Sequence, residues 1–169
     1  MRELFNSAKA LLPELTACRR ELHAHPELGL NEVRTAAFIE AKLDEWHIPH
    51  HRVGKTNVAG VLKGKLPGNH TIALRADIDA LPIQELNDVP YRSQTDGVMH
   101  ACGHDAHTAC LLGAAQLLSQ RRTEFGGEVR FLFQSAEEIG KGATDLIDAD
   151  ALKGAERVFG LHTAHEIPV

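Results

Sequence analysis

The spacing of apolar residues predicts two helices in the first third of the chain. In the first segment, apolar residues recur at intervals of three or four: Leu4, Ala8, Leu11, Leu15, Cys18 and Leu22. We expect Pro13, which lies inside this run, to begin or kink a helix. The second segment has Asn31 as its expected N-cap. Its apolar face carries four residues: Ala36, Ile39, Leu43 and Trp46.

Four further stretches have the character of strands. "NVAGVLKG" (57–64) and "TIALRADI" (71–78) are predicted strands joined by the turn-like "KLPGNH". "GEVRFLFQ" (127–134) has no polar alternation at its centre, which is typical of a strand covered on both faces. "ERVFGLHT" (156–163) is the last predicted strand.

Helical segments separate these strands. Residues near 104–120 form a predicted helix, and "GATDLIDADAL" (142–152) forms another. The inward positions expected for the 104–120 helix are Ala106, Cys110, Ala114 and Leu117. Strands that alternate with helices predict an α/β fold with a central mixed, largely parallel sheet and helices on both faces.

Composition narrows the class of protein. The chain has 169 residues, 43% of them hydrophobic and 24% charged, as in ordinary globular domains. A net charge of −5 without a basic cluster argues against a nucleic-acid partner, and no apolar run is long enough to span a membrane. Three cysteines do not make a disulfide framework, so we expect a reduced, cytoplasmic protein.

Polar residues gather where the predicted strands end. "RADIDALP", "QSAEE" and "LHTAH" each follow a strand, and "HACGHDAH" leads into a helix. Ligands of open α/β sheets bind at such strand ends. Two adjacent glutamates directly after an apolar strand are costly to bury unpaired, and a metal ion would remove that cost. The pattern therefore favours a metal site.

The residue types fit that chemistry. Thiolate, imidazole and carboxylate are ligands of zinc, and of manganese, cobalt or nickel in more oxygen-rich sites. Gly103 lets Cys102 and His104 turn toward one point. Of the glutamates Glu137 and Glu138, one could bind metal while the other takes a proton from water.

Other interpretations stay open at this point. Cys102 could be a thiol nucleophile with a nearby histidine as base, which predicts inactivation by alkylating agents and indifference to chelators. His107, one helical turn after His104, could reach the same face.

The remaining candidates have structural interpretations. Cys18 and Cys110 are expected in the core. Asp105 is expected either to cap its helix or to hydrogen-bond a ligand, and His165 is expected near the site without being a ligand.

Five ordered motifs carry a family resemblance that covers essentially all 169 residues: "RRELHAHPELGLNE", "LRADIDALP", "MHACGHDAHTACLLGAA", "FLFQSAEE" and "GLHTAHEIPV". In order and spacing they resemble the metal-dependent N-acyl-amino-acid amidohydrolases, which include aminoacylases, hippurate hydrolases and indole-acetyl-amino-acid hydrolases. The resemblance implies a zinc-exopeptidase-like catalytic domain.

It also implies roles for individual residues. Two divalent ions, zinc or manganese with cobalt or nickel as alternatives, would be held by four ligands, the thiolate bridging them: Cys102, His104, Glu138 and His162. Glu137 corresponds to the general base, and Asp77 and Asp79 to an acidic loop behind the ligands.

The resemblance gives His107 no ligand role and implies a supporting or surface position for it. His23, His25 and Glu27 belong to a signature without an assigned role, and we expect ordinary polar residues at a helix end there.

Members of this family are roughly twice as long as this chain. The resemblance therefore implies that residues 1–169 are the N-terminal part of the catalytic domain, without an inserted dimerisation or lid domain and a C-terminal segment that supplies one more histidine ligand. The implied reaction is hydrolysis of the amide of a small N-acyl amino acid through a metal-bound hydroxide, by a full-length form that is a homo-oligomer. The alternative is a truncated, non-catalytic metal-binding or assembly fragment.

Overall fold

A computed structural model describes residues 2–164 of the chain. The helices of this part are α1 (Arg2–Ala10), α2 (Leu12–Ala24), α3 (Val33–Glu45), α4 (His104–Gln120) and α5 (Gly142–Asp148). The strands are β1 (His50–Val53), β2 (Asn57–Lys63), β3 (Leu66–Asp77), β4 (Gly126–Gln134) and β5 (Arg157–Gly160). The predicted α/β fold is confirmed.

The strands form one mixed sheet in the order β1-β2-β4-β3-β5. β3 runs parallel to both β4 and β5, whereas β2 runs antiparallel to β1 and β4. Within the described residues, two strand pairings are parallel and two are antiparallel, so the sheet is less parallel than the sequence predicted. Strands β2 and β3 are not neighbours, because β4 lies between them, and "KLPGNH" is not a simple turn, since β3 already begins at Leu66.

Apolar side chains cover both faces of the sheet, as expected from the centre of "GEVRFLFQ". On one face, Phe131 and Phe133 of β4 pack with residues of α3 and α4, including Ile39 and Leu112. On the other face, Leu132 packs with Leu146 of α5. Successive side chains of a strand point to opposite faces, so one apolar strand serves both cores.

Pro13 stands in the first turn of α2, and α1 ends just before it, so the break predicted at this proline is confirmed. The expected N-cap Asn31 is wrong. The carboxylate of Glu27 instead accepts hydrogen bonds from the backbone N–H groups of Arg34 at 3.1 Å and Thr35 at 2.8 Å. A longer acidic side chain from seven residues upstream thus satisfies the free amides of the first turn.

The predicted inward face of the 104–120 helix is also wrong. Cys110 is exposed, while Leu111, Leu112 and Ala115 are buried against the sheet. Small and apolar residues occur around most of this helix, so periodicity alone did not select the buried face. Cys18 lies in the core, as predicted.

Candidate metal centre

Three parallel strands end at the same edge of the sheet and bring the candidate residues together. Asp77 is the last residue of β3, the Ser135–Glu138 turn follows β4, and His162 lies two residues after β5. Helix α4 begins at this edge with His104. Because parallel strands deliver their carboxyl ends to one side, residues far apart in sequence meet there.

His104 is at the centre of the cluster and has no exposed surface. Its Nδ1 lies 2.9 Å from the backbone carbonyl oxygen of Asp79 and 3.2 Å from that residue's carboxylate, so Nδ1 carries a proton and donates. Its Nε2 is buried and has no hydrogen-bond partner. This nitrogen faces carboxylate oxygens of Asp77, Glu137 and Glu138 at 3.7–3.8 Å.

The other candidate ligands surround the same point. Ligand atoms of Cys102, His104 and Glu138 all lie within 4.8 Å of one another. The Sγ of Cys102 is 3.7 Å from Nε2 of His162, which in turn is 3.9 Å from Asp77. The structure thus brings together all four side chains that the sequence put forward as ligands.

Asp79 also fixes the adjacent glutamates. Its Oδ2 accepts a hydrogen bond from the backbone N–H of Glu138 at 3.0 Å, while Oδ1 faces His104. Burial disfavours the charged form of Asp79, but these hydrogen bonds outweigh it and hold the pKa below its usual value. An ionised Asp79 therefore orients one candidate ligand and the turn that carries another.

Asp77 has a similar arrangement with different partners. Its Oδ1 accepts a hydrogen bond from Nδ1 of His107 at 2.6 Å, and its Oδ2 accepts one from Arg75 at 2.6 Å. Burial opposes ionisation, yet the His107 hydrogen bond and the charges of His104 and Arg75 keep the pKa of Asp77 low. His107 is buried beside Asp77, so it supports the centre and is not a surface residue.

The charges of the cluster call for a cation. Burial, and then Glu138, raise the pKa of the Cys102 thiol to about 11. Burial lowers the basicity of His104, but Asp79 and Asp77 outweigh it and raise the pKa of this imidazole. The parts of both shifts that come from Glu138, Asp77 and Asp79 reflect a negative local potential, which favours a cation among these carboxylates.

The donor set fits a divalent metal ion. A neutral His104 with its Nδ1 proton committed to Asp79 leaves a lone pair on a buried, unpartnered Nε2. One thiol, two imidazoles and a carboxylate around that lone pair match the ligands of zinc. A second grouping of Asp77, His104, His107 and His162 also lies within 4.8 Å, but both ring nitrogens of His107 are hydrogen-bonded, to Asp77 and to the backbone N–H of Thr163, so His107 supports this grouping without offering a ligand atom.

Asp105 lies apart from the ligands. It neither caps α4 nor hydrogen-bonds a candidate ligand, because its Oδ2 accepts from Arg19 at 2.7 Å and from His23 at 2.6 Å. Nε2 of His23 lies 3.1 Å from Glu85, so His23 joins two buried carboxylates. His23 and Glu27 thus stabilise the fold through hydrogen bonds, His23 to Asp105 and Glu85 and Glu27 to the first turn of α3. His25 lies at the end of α2, as expected. The remaining candidate, His165, lies outside the described residues.

Comparison with known proteins agrees with this geometry. Residues 73–169 match the model of Peptidase family M20/M25/M40. An N-acetylcysteine deacetylase of Bacillus subtilis is 49% identical over 95% of this chain and 43% of its own length. An N-acyl-L-amino acid amidohydrolase of Geobacillus stearothermophilus is 48% identical over 88% of this chain and 40% of its own length.

A solved structure is also similar. The crystal structure of a dinuclear metal-binding peptidase of the M20 family from Bacillus subtilis superposes with a TM-score of 0.89 at 49% identity, covering 95% of this chain and 45% of that one. The chain belongs to peptidase family M20/M25/M40, which confirms the family resemblance seen in the sequence. It spans about two fifths of the length of the curated relatives it matches.

Proposed function

We propose that the full-length protein hydrolyses the amide bond of small N-acyl amino acids with the help of two divalent metal ions. The buried, unpartnered Nε2 of His104 carries this proposal, because it faces three carboxylates and a bound cation could take the place of a proton there. The ions would be held by Cys102, His104, Glu138 and His162. When bound, they would polarise the substrate carbonyl and make water more acidic.

Glu137 suits the role of general base. Its Oε2 lies 3.8 Å from Nε2 of His104, and 37% of its side chain is exposed. The carboxylate therefore reaches both the candidate metal centre and solvent, where water and substrate arrive. Glu137 would take a proton from the attacking water and deliver it to the leaving amine, while Asp79 holds the neighbouring Glu138 in place.

The surroundings suit a small substrate. A cavity of about 300 Å³ adjoins the centre and is lined in part by Arg19, Tyr91, His100 and Cys102. Its size lies at the lower end of small-molecule pockets. The Bacillus and Geobacillus relatives are named for N-acetylcysteine and N-acyl-L-amino acids, which supports an N-acyl amino acid as the substrate class.

The remaining properties of the full-length protein are proposals of the same kind. We infer that residues 1–169 are the N-terminal part of a catalytic domain, completed by an inserted dimerisation or lid domain and a C-terminal segment. We further propose a homo-oligomer located in the cytoplasm, with neither nucleic acid nor membrane as partner. Within the described residues, no helix is long and apolar enough to cross a membrane.

The thiol-nucleophile alternative is disfavoured by the electrostatics of Cys102. Activated thiols have a lowered pKa and positive neighbours. Burial and the carboxylates of Glu138 and Asp77 raise the pKa of Cys102 instead. A metal ion would reverse this balance, since it binds the thiolate and neutralises the carboxylates.

Two matched variants of the full-length protein test the proposed function. Glu137→Gln should keep its metal and lose about a hundredfold to ten-thousandfold in kcat, because an amide cannot accept the proton. Glu138→Gln should lose metal as well as activity. Metal content by elemental analysis and turnover of N-acetyl amino acids separate the two effects. A Glu137→Gln enzyme with normal kcat would end this mechanism.

A further inference from the structure

The turn that carries the two glutamates is fastened by side chains from three distant segments. Asn57 accepts a hydrogen bond from the backbone N–H of Ser135 at 2.9 Å. Glu32 accepts one from the N–H of Ala136 at 2.7 Å, and Asp79 accepts one from the N–H of Glu138 at 3.0 Å. Almost every amide of the turn therefore has a dedicated side-chain acceptor.

The middle contact holds an unusual backbone conformation. Ala136 is fully buried and has a φ of 50°, in the left-handed region that a residue with a Cβ rarely adopts. Such a conformation persists only where the surroundings determine it. The hydrogen bond from the Ala136 N–H to Glu32 is one such determinant, and it stands directly before Glu137.

Glu32 itself is a fully buried carboxylate. Its Oε2 accepts a hydrogen bond from the hydroxyl of Thr56 at 2.6 Å, and its Oε1 binds Ala136. Among the described residues neither oxygen takes part in an ion pair. A buried carboxylate held only by neutral donors is costly, so the position of Glu32 calls for a structural or functional reason.

That reason is not the capping of α3. Glu32 occupies the N-cap position, but its side chain makes no hydrogen bond to the start of the helix. Glu27 supplies those bonds, to Arg34 and Thr35. The carboxylate of Glu32 is committed instead to the turn 104 residues further along the chain.

We propose that Glu32 is a positioning residue that sets the direction of Glu137 and Glu138. By fixing the Ala136 amide, it holds the turn so that both following side chains approach Nε2 of His104, at 3.8 and 3.7 Å. This inference rests on the proposed function, since it assigns Glu32 to the same centre. Glu32 touches neither substrate nor metal and acts through the backbone.

The test compares three variants of the full-length protein. In Glu32→Ala the Ala136 amide loses its acceptor, and zinc affinity should fall about 10-fold to 100-fold, with a fall in kcat larger than any change in KM. Glu32→Gln keeps an amide oxygen for Ala136 and can donate to Thr56, so it should keep the wild-type affinity. Glu27→Ala is the matched control, because it also removes a carboxylate that accepts hydrogen bonds from backbone amides. It should lower the free energy of unfolding and leave the zinc affinity unchanged.

The readouts are a zinc competition titration, kcat and KM, and hydrogen exchange of the Ala136 amide in metal-free protein. We expect faster exchange in Glu32→Ala only. Wild-type zinc affinity in Glu32→Ala, or a Glu32→Gln variant as weak as Glu32→Ala, overturns the inference. If Glu32→Ala does not fold, Glu32→Asp takes its place in the test, because the shorter side chain cannot reach both Thr56 and Ala136. Wild-type zinc affinity in Glu32→Asp would also overturn the inference. A wild-type protein that binds no zinc contradicts the proposed function instead, and with it the assignment of Glu32 to a metal centre.

Discussion

Nε2 of His107 accepts a hydrogen bond from the backbone N–H of Thr163 at 2.8 Å. Because a backbone amide can only donate, the proton of this imidazole is on Nδ1, where it is donated to Asp77 at 2.6 Å. Thr163 also donates its hydroxyl to the carbonyl oxygen of Cys102 at 2.9 Å. His107 thus ties the end of β3 to the segment that carries His162.

Loss of this link should loosen His162. We expect His107→Leu to weaken zinc binding about 10-fold to 100-fold, as is typical when a group that orients a ligand is removed. Thr163→Val is the control, since it keeps the backbone N–H that His107 accepts and should have a smaller effect. Competition with a chromophoric chelator measures both constants, and an unchanged affinity in His107→Leu would contradict the role assigned to this residue.

The His23 cluster should give folding stability a dependence on pH. The hydrogen bond to Asp105, with a second to Glu85, raises the pKa of His23 above its ordinary value of 6.5. The charged imidazole therefore stabilises the folded state fully below pH 6.5, and this contribution is lost as pH rises through the folded-state pKa. Denaturant unfolding between pH 5.5 and about 9 should show the decline.

His23→Gln should make that decline smaller, with His104, whose pKa is also raised, accounting for the remainder, whereas His51→Gln, at an exposed position on β1, should leave it in place. Asp105 makes folding stability depend on pH in the opposite direction. Burial opposes its ionisation, but the hydrogen bond from His23 holds its pKa below the usual value. The stability that ionised Asp105 contributes is therefore lost as pH falls through that pKa. A His23→Gln protein with the wild-type slope above pH 6.5 would show that the buried pair does not set it.

Much of the fold follows from local patterns that the sequence displays directly. The uninterrupted apolar centre of β4 predicts a strand covered on both faces, and Pro13 marks the start of α2. The buried face of α4 could not be predicted from the sequence, because Cys110 and Leu112 are equally compatible with a buried position. Packing of the helix against the sheet buries Leu112 and leaves Cys110 exposed. The α3 cap was missed because Glu27 reaches it through a loop.

The candidate site, too, could be predicted from the sequence only in part. Cys102, His104 and the adjacent glutamates could be found because their residue types and their positions at strand ends indicate metal chemistry. Glu32 could not be found in this way, since the only signal was a glutamate inside a motif of unassigned role. Its partner Ala136 lies 104 residues away, and that contact exists only in the folded chain.

The 169-residue chain by itself should not be a competent hydrolase. The resemblance to the family implies one more histidine ligand beyond the four candidates, and β5 exposes Val158 and Phe159, followed by Leu161, all more than half exposed. We expect a partly occupied metal site and self-association through this surface. Ultracentrifugation and assays with added zinc or manganese test this, and turnover at about 1 per second or faster would contradict it.

The central claim is that Cys102, together with His104, Glu138 and His162, binds metal at the edge of the sheet. X-ray absorption spectroscopy of the zinc-loaded full-length protein tests it most directly, because it counts sulfur neighbours of the metal. We expect a sulfur shell at about 2.3 Å with nitrogen and oxygen neighbours at about 2.0 Å, and loss of the sulfur shell in Cys102→Ser. A zinc spectrum without sulfur, or one unchanged in Cys102→Ser, would contradict the account.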